Sequence, residues 1–212
     1  MNFPVPVRLV LVRHGETIWH AENRYAGRSD IALSPKGYTQ AGQLARWAET
    51  TNLAGVWSSP LVRARLTAVP CAEAANLPLH IDERLRELDF GRGEGLTEAE
   101  MRAQFPGERA AFERDPAANP LPDGEVPEQA TARGMAALQG IAVATGESGG
   151  AGSRGLVVAH NTLLRLLLCR LLGMPLSGYR TAFPHFANGT LTEIELTPRG
   201  AGLLRFNVPL PT

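Results

Sequence analysis

Lysine is almost missing from this 212-residue chain: Lys36 stands alone, and the other twenty cationic side chains are arginines. Coding bias is the plain cause, yet arginine offers planar, two-pronged contacts that suit phosphate and carboxylate. An excess of positive charge is missing too. Lys+Arg and Asp+Glu both number 21, so the chain lacks the electrostatic footprint of a nucleic-acid binder. Cysteine is scarce. Cys71 and Cys169 cannot make a disulfide framework and read as free core thiols in a reducing compartment. No long apolar run occurs: the most apolar stretch, Leu163–Leu172, is interrupted by Arg165 and Arg170 and is too short to span a bilayer. The opening Met1–Val12 carries Pro4 and Pro6 and turns straight into a strand, unlike a signal peptide. A soluble, cytoplasmic protein with no membrane partner is expected.

With 44% hydrophobic and 20% charged residues the chain sits near the globular average, and its length suits one domain over 1–212. Val7–Val12 is a continuous apolar, β-branched run, the pattern of a strand buried on both faces. Ser34-Pro35 is an N-cap followed by proline at the first helical position, opening a helix to about Thr50. Gly55–Ser59 reads as a strand, Leu61–Ala75 as a helix and Leu79–Ile81 as a third strand. Short helical pieces follow at Thr97–Phe105 and Glu108–Glu113, then a Pro/Asp/Gly-rich loop or mobile lid at Asp115–Pro127. Residues 97–127 are therefore expected to cap the core. A helix over Glu128–Ala144, a flexible linker over Thr145–Ser153, a buried strand at Gly155–Ala159 and a helix over Thr162–Leu172 come next. Leu191–Leu196 and Leu203–Val208 read as paired edge strands, which permit a homodimer without requiring one. The β–α alternation predicts an α/β three-layer sandwich, a mostly parallel central sheet with helices on both faces and a small helical and loop cap.

Ligands of such sheets bind at the carboxyl ends of the strands. Two strands end in histidine, at His14 and His160, and parallel pairing would bring both to one sheet edge. Either alone reads most simply as a surface turn; together with Arg13 they read as a site. A third strand-to-helix junction, Ser58-Ser59-Pro60-Leu61-Val62-Arg63, puts Arg63 in a first helical turn, where an anion is favoured. Glu87 offers a carboxylate in a glycine-flanked loop; in isolation it would simply pair with Arg84 or Arg86. The set reads as a phosphoryl-transfer site: arginines neutralise equatorial oxygens, a neutral imidazole attacks phosphorus, a second histidine, if protonated, adds charge, and a carboxylic acid serves the leaving oxygen. Such a site needs no metal, and the His14/His20 spacing and Glu16 follow no common zinc pattern. No GxxxxGK[ST] loop is present, and the glycines at 91, 93 and 95 do not sit between a strand and a helix. No cofactor is expected.

Arg13-His14-Gly15-Glu16-Thr17, followed by Asn23-Arg24, Gly27, Asp30, Leu33-Ser34, Gly37 and Gln40-Ala41, resembles the histidine phosphatase superfamily, the phosphoglycerate mutase-like proteins. The likeness runs on through Ser58-Ser59-Pro60-Leu61, Arg63-Ala64, Thr67-Ala68, Leu85-Arg86-Glu87, Gly91 and Ala159-His160-Asn161, covering about residues 7–197. The tripeptide alone is weak, and the ordered set is strong. The resemblance implies that His14 is the nucleophile and becomes phosphorylated, that Glu87 donates and accepts the proton, and that Arg13, Arg63 and His160 complete the phosphate pocket. It adds Asn161 and, where relatives carry asparagine, His20 as phosphate contacts, with Glu16 and Arg24 shaping the pocket. Asp123-Gly124-Glu125 resembles a Gly-Glu-Ser element, with Val126 in place of serine. Gly93 stands where many members have an aromatic, which predicts a more open wall beside Glu94-Gly95.

The leading reading is a phosphomonoesterase acting on a small phosphorylated metabolite. A phosphoglycerate mutase is the alternative, returning the phosphoryl group to bound substrate instead of water. The cofactor-dependent mutases are longer and carry lysines near the site, which this chain does not. A catalytically dead binding member of the fold would be expected to have lost His14, Arg13 or Glu87, and all are present.

Overall fold

The computed structural model describes residues 5–211; residues 1–4, on which part of the signal-peptide reading rests, and residue 212 lie outside it. In chain order the elements are β1 (Val7–Arg13), α1 (Pro35–Thr50), β2 (Leu53–Ser58), α2 (Val62–Ala74), β3 (Leu79–Ile81), α3 (Glu98–Gln104), α4 (Pro106–Arg114), α5 (Pro127–Gly149), β4 (Arg154–Ala159), α6 (Asn161–Leu171), α7 (Tyr179–Ala182), β5 (Leu191–Thr197) and β6 (Gly200–Val208). One six-stranded sheet has the order β3-β2-β4-β1-β5-β6. Neighbours from β3 to β1 are parallel, and β5 and β6 are added antiparallel. The expected α/β sandwich is thus observed.

Alternation along β1 explains the three layers. Val7, Leu9 and Leu11 join one core with Leu138 and Ile141 of α5 and Leu163, Leu164 and Leu167 of α6. Val10 and Val12 face a second core with Leu44 and Ala48 of α1 and Ala64, Ala68 and Cys71 of α2. Both faces of the central strands are therefore apolar, as a helix-covered parallel sheet requires. The α1 start is as the sequence predicts, with Ser34 Oγ accepting from Gly37 N–H and Pro35 in the first turn. Cys71 and Cys169 are free and buried, and burial pushes the Cys71 thiol up to about 12.

Three expectations change. Residues 145–149 are the last turn and a half of α5 instead of a linker. Packing overrides the glycine penalty there: Gly146 lies against Val5, where a Cβ would sit 2.8 Å from Cγ2, and Thr145 Oγ1 donates to the Ile141 carbonyl. The helix stops only at Gly150, whose φ of 76° suits glycine. Next, β5 and β6 do pair, but β5 lies between β1 and β6, so the free edges are β3 and β6. Finally, the Gly93 wall is closed: a Cβ there would lie 2.4 Å from Leu121 Cδ1, and Gly93 is buried. Residues 97–127 supply Met101, Phe105, Phe112 and Leu121 to a third small core with Leu88 and Phe90. The 115–127 run is irregular, yet Leu121 is buried and Glu125 pairs with Arg133 at 2.7 Å, which fastens it to α5.

Register places the chemistry. Arg13 pairs with Ala159 and Ser58 with Val158, so β1, β4 and β2 end almost level. The next residues of each, His14, His160 and Ser59, emerge side by side.

Candidate active site

His14 leaves β1 with its N–H still on the Ala159 carbonyl at 3.0 Å, and Gly15 N–H donates to Thr67 Oγ1 at 2.9 Å. The turn is tight because Gly15 lies on Gly37: a Cβ on Gly15 would meet the Gly37 carbonyl oxygen at 2.7 Å. His14 Nδ1 lies 2.7 Å from the Gly15 carbonyl oxygen, which can only accept, so Nδ1 carries the proton. Nε2 is left with its lone pair, and the Arg63 Nε–H donates to it at 3.2 Å. Burial, then Arg63 and Arg13, hold the His14 pKa well below its ordinary value. The imidazole is therefore neutral at pH 7, the state a nucleophile needs.

Arg63 is fully buried in the first turn of α2 and its fork is held by carbonyls: Nη1 donates to Ser29 at 2.7 Å, and Nη2 to Gly27 at 2.7 Å and Ala26 at 3.2 Å, which leaves one Nη1–H without a partner among the described residues. Those carbonyls are themselves organised from outside, since Glu94 accepts the N–H groups of Gly27, Arg28 and Ser29. Arg13 donates from Nη1 to the Phe186 carbonyl at 2.7 Å and from Nη2 to His20 Nε2 at 2.6 Å, while its buried Nε has no partner. Burial lowers the Arg13 pKa to about 10, so it stays charged at neutral pH. His20 sits where Arg13 can reach it, 6.0 Å from His14 between ring centroids. Burial and then Arg13 push its pKa down to about 4. With Nε2 accepting from Arg13, the Nδ1 proton turns to Thr17 Oγ1 at 2.8 Å, although the Thr17 N–H also faces Nδ1 at 3.0 Å. An anion that drew Arg13 away would relieve that crowding of donors.

The His160 ring centroid lies 5.2 Å from that of His14. His160 Nε2 meets Ser59 Oγ at 2.7 Å, and the buried Nδ1 has no partner. Burial, followed by Arg63 and His14, holds its pKa well below the ordinary value. The second histidine, considered from sequence as a charged group, is thus held neutral. Asn161, first residue of α6, also presents an unpartnered Oδ1.

Glu87 is neither solvated nor paired with its neighbours: Arg84 takes Asp82 and Arg86 takes Glu83. Its Oε1 accepts from Leu88 N–H at 2.8 Å and Leu163 N–H at 3.0 Å, and its Oε2 from Thr162 N–H at 2.9 Å. The carboxylate therefore caps α6. Of roughly four lone-pair positions on a carboxylate, those contacts leave one, on Oε2. Glu16 and Arg24 lie further out: Glu16 accepts from Lys36 and Ser34, and Arg24 donates to Glu22 and Glu100.

Arg13, His14, His20, Glu87 and Asn161 line a cavity of about 970 Å³, while Arg63 and His160 are fully buried against His14 and are not part of its lining. The residues predicted from sequence are brought together here. Sequence reasoning missed Ser59 and Asn188 as site groups. Ser59 stood in the Ser58-Ser59-Pro60 motif with no role given to it, and Asn188 Nδ2 donates to the His14 carbonyl from a loop with no motif of its own. Among the described residues no three His, Cys, Asp or Glu side chains come together to hold a metal ion.

The family model of the histidine phosphatase superfamily (branch 1) matches residues 9–209. The chain belongs to the histidine phosphatase superfamily. Among curated relatives, a probable phosphoglycerate mutase GpmB of Klebsiella pneumoniae is 36% identical over 169 residues, 80% of this chain and 76% of that protein. The solved structure of a mycobacterial glucosyl-3-phosphoglycerate phosphatase, complexed with VO3, superposes with TM-score 0.85 and 31% identity, covering 95% of this chain and 99% of that one. An Escherichia coli K-12 structure described as a putative alpha-ribazole-5'-P phosphatase gives TM-score 0.82 and 26% identity over 97% and 99%. As a histidine phosphatase this chain is a phosphoric monoester hydrolase by family. Among the described residues no helix is long and apolar enough to cross a membrane.

Proposed function

We propose that this histidine phosphatase hydrolyses a small phosphorylated metabolite through a phosphohistidine on His14 Nε2, without a metal. The observation that carries the reading is the fixed tautomer of His14, with Nδ1–H on the Gly15 carbonyl and the Nε2 lone pair beside Arg63. In the first step Nε2 attacks phosphorus and the P–O bond to the leaving group breaks. Glu87, protonated at Oε2, gives its proton to the departing oxygen. Arg13 and Arg63 face the charge spread over the equatorial oxygens, and His160, whose buried Nδ1 is unpartnered among the described residues, adds a contact to the same group, with Asn161 able to donate only from its amide Nδ2. In the second step Glu87 accepts a proton from water, the water oxygen bonds to phosphorus, the P–N bond breaks, and phosphate leaves. Residues 97–127 would act as a cap over the same single domain.

A mutase reading has one specific support, the likeness to a probable phosphoglycerate mutase. The two share the first step and differ in whether water or bound substrate takes the phosphoryl group. The cavity of about 970 Å³ exceeds what a three-carbon ester fills, which favours a larger substrate. The test is p-nitrophenyl phosphate turnover in excess EDTA by wild type and His14→Ala, with an acid-labile phosphoryl adduct sought on His14. Turnover and adduct both lost in the variant support the reading; retained turnover sinks the nucleophile assignment. Conversion of 3-phosphoglycerate to its 2-isomer without phosphate release would instead establish the mutase.

A further inference from the structure

The cavity wall beyond the phosphate pocket carries more positive charge than the transferred phosphoryl group uses. Arg24 and Arg102 line it but are neutralised, by Glu22 and Glu100 and by Glu98 and Glu113 respectively. Arg165 and Arg180 also line it, and among the described residues neither forms an ion pair, although Arg180 lies near enough to Glu113 to help lower the pKa of that carboxyl. Arg165 Nη2 donates to the Pro184 carbonyl at 2.9 Å, and its buried Nε has no partner among the described residues. Arg180 donates from Nε to Tyr179 Oη at 3.1 Å and lies 4.7 Å from the centre of the Phe112 ring. All these partners are neutral.

A guanidinium without a paired carboxylate in a half-buried wall is costly, because the charge loses water without gaining a counter-ion, and Arg165 is in that position. The carboxylate whose charge Arg165 feels inside the pocket, Glu87, is already engaged by three backbone N–H groups. Burial lowers the Arg165 pKa, opposed by Tyr179 and Glu87 and reinforced by Arg180, whereas, against burial, the Tyr179 and Tyr25 phenols raise that of Arg180. Position adds the scale. Arg165 follows Asn161 by four residues on α6, so it stands one helical turn, about 5–6 Å, beyond the residue at the phosphate pocket. Arg180 approaches from α7, across the same opening.

We propose that Arg165 and Arg180 form a second anion subsite, so that the preferred esters carry another negative group on the leaving portion, a few bonds from the transferred phosphate. A carboxylate and a second phosphate share the chemistry that would be recognised: oxygens that accept from a planar fork. The inference rests on the hydrolase reading for its substrate, though not for its binding.

The experiment uses matched pairs that differ in one charge: 3-phosphoglycerate against glycerol 3-phosphate for a carboxylate, and fructose 1,6-bisphosphate against fructose 6-phosphate for a phosphate. Calorimetric binding to His14→Ala reads the subsite whether or not any ester is hydrolysed. The doubly anionic member of at least one pair is expected to bind about tenfold tighter, the scale of one charge-assisted contact. Which pair discriminates identifies the second anion. Adding Arg165→Gln or Arg180→Gln should bring that pair to within about twofold, while Arg165→Lys keeps part of the preference because the charge remains. Equal affinities within both pairs in His14→Ala would overturn the subsite, as would a preference that survives both glutamine variants. A preference seen without turnover by the wild-type enzyme would leave the subsite standing and remove the hydrolase reading.

Discussion

The Arg63 Nε–H donates to the Nε2 lone pair of His14, 3.2 Å away. The residue expected to clamp phosphate therefore also keeps the nucleophile in its reactive tautomer until substrate arrives. It adds to the depression of the His14 pKa, second only to burial. Arg63→Gln should lower kcat/KM by about 100-fold, the scale of removing one preorganised donor at developing charge. It should also move the His14 titration upward, followed by NMR of the imidazole. Loss of activity with an unmoved titration would mean that Arg63 serves the phosphate alone.

His14 and His160 are held neutral, and this makes folding stability depend on acid. Both have folded-state pKa values well below the ordinary 6.5, with burial the main cause. As pH falls through about 6.5 the unfolded chain takes up protons that the folded chain refuses, so the unfolded state is favoured. Stability should therefore drop between pH 7 and pH 5.5, by up to about 1.4 kcal/mol per pH unit for each histidine. Denaturant midpoints of the wild type and His160→Gln at several pH values provide the measurement. The variant should show a shallower slope over that interval, and an unchanged slope would exclude His160 as a source.

Among the described residues His160 has Ser59 Oγ as its single side-chain partner, at 2.7 Å, and Ser59 is fully buried just after β2. Ser59→Ala removes that anchor and also the Oγ that accepts from Leu61 N–H at 3.3 Å. A loss of roughly tenfold in kcat is expected, with KM changing less, because positioning matters most where charge develops. Steady-state kinetics on one aryl phosphate decide this. A rise in KM alone would show that His160 binds the ground state as tightly as the transition state.

How much of this could be read in the sequence follows from how local each signal is. The β1 run and the Ser34-Pro35 cap are written in a few adjacent residues, and both elements formed as expected. His14 and His160 were legible because parallel strands force their ends together, a consequence of topology alone. The last turn and a half of α5 was illegible because Gly146 and Gly149 weaken a helix by propensity, and only contact with Val5 and Ala54 reveals why glycine is needed. The inner position of β5 was illegible for a similar reason: its pairing with β1 joins residues from 179 apart, Val12 and Leu191, to 189 apart, Val7 and Leu196. Asn188 and Arg180 reach the site from segments whose sequence carries no periodic or motif signal, so only the folded chain shows them.

Glu87 combines two duties that a single substitution can separate. Its carboxylate accepts from Leu88, Thr162 and Leu163 N–H and so fixes the start of α6, while the remaining Oε2 position is assigned to proton transfer. Glu87→Gln keeps one acceptor oxygen but turns an amide N–H₂ toward backbone donors, which should cost about 1–3 kcal/mol of stability. An acid matters most when the leaving oxygen is strongly basic, so alkyl phosphates should lose far more rate than p-nitrophenyl phosphate, whose phenolate leaves unaided. A difference of 100-fold or more between the two losses is expected, since general acid catalysis contributes about 10² to 10⁴. Glu87→Ala supplies the control: it removes both duties, so its stability loss should match or exceed that of the glutamine variant while the leaving-group pattern stays the same. Equal losses on alkyl and aryl esters would confine Glu87 to holding α6 and return the proton to water.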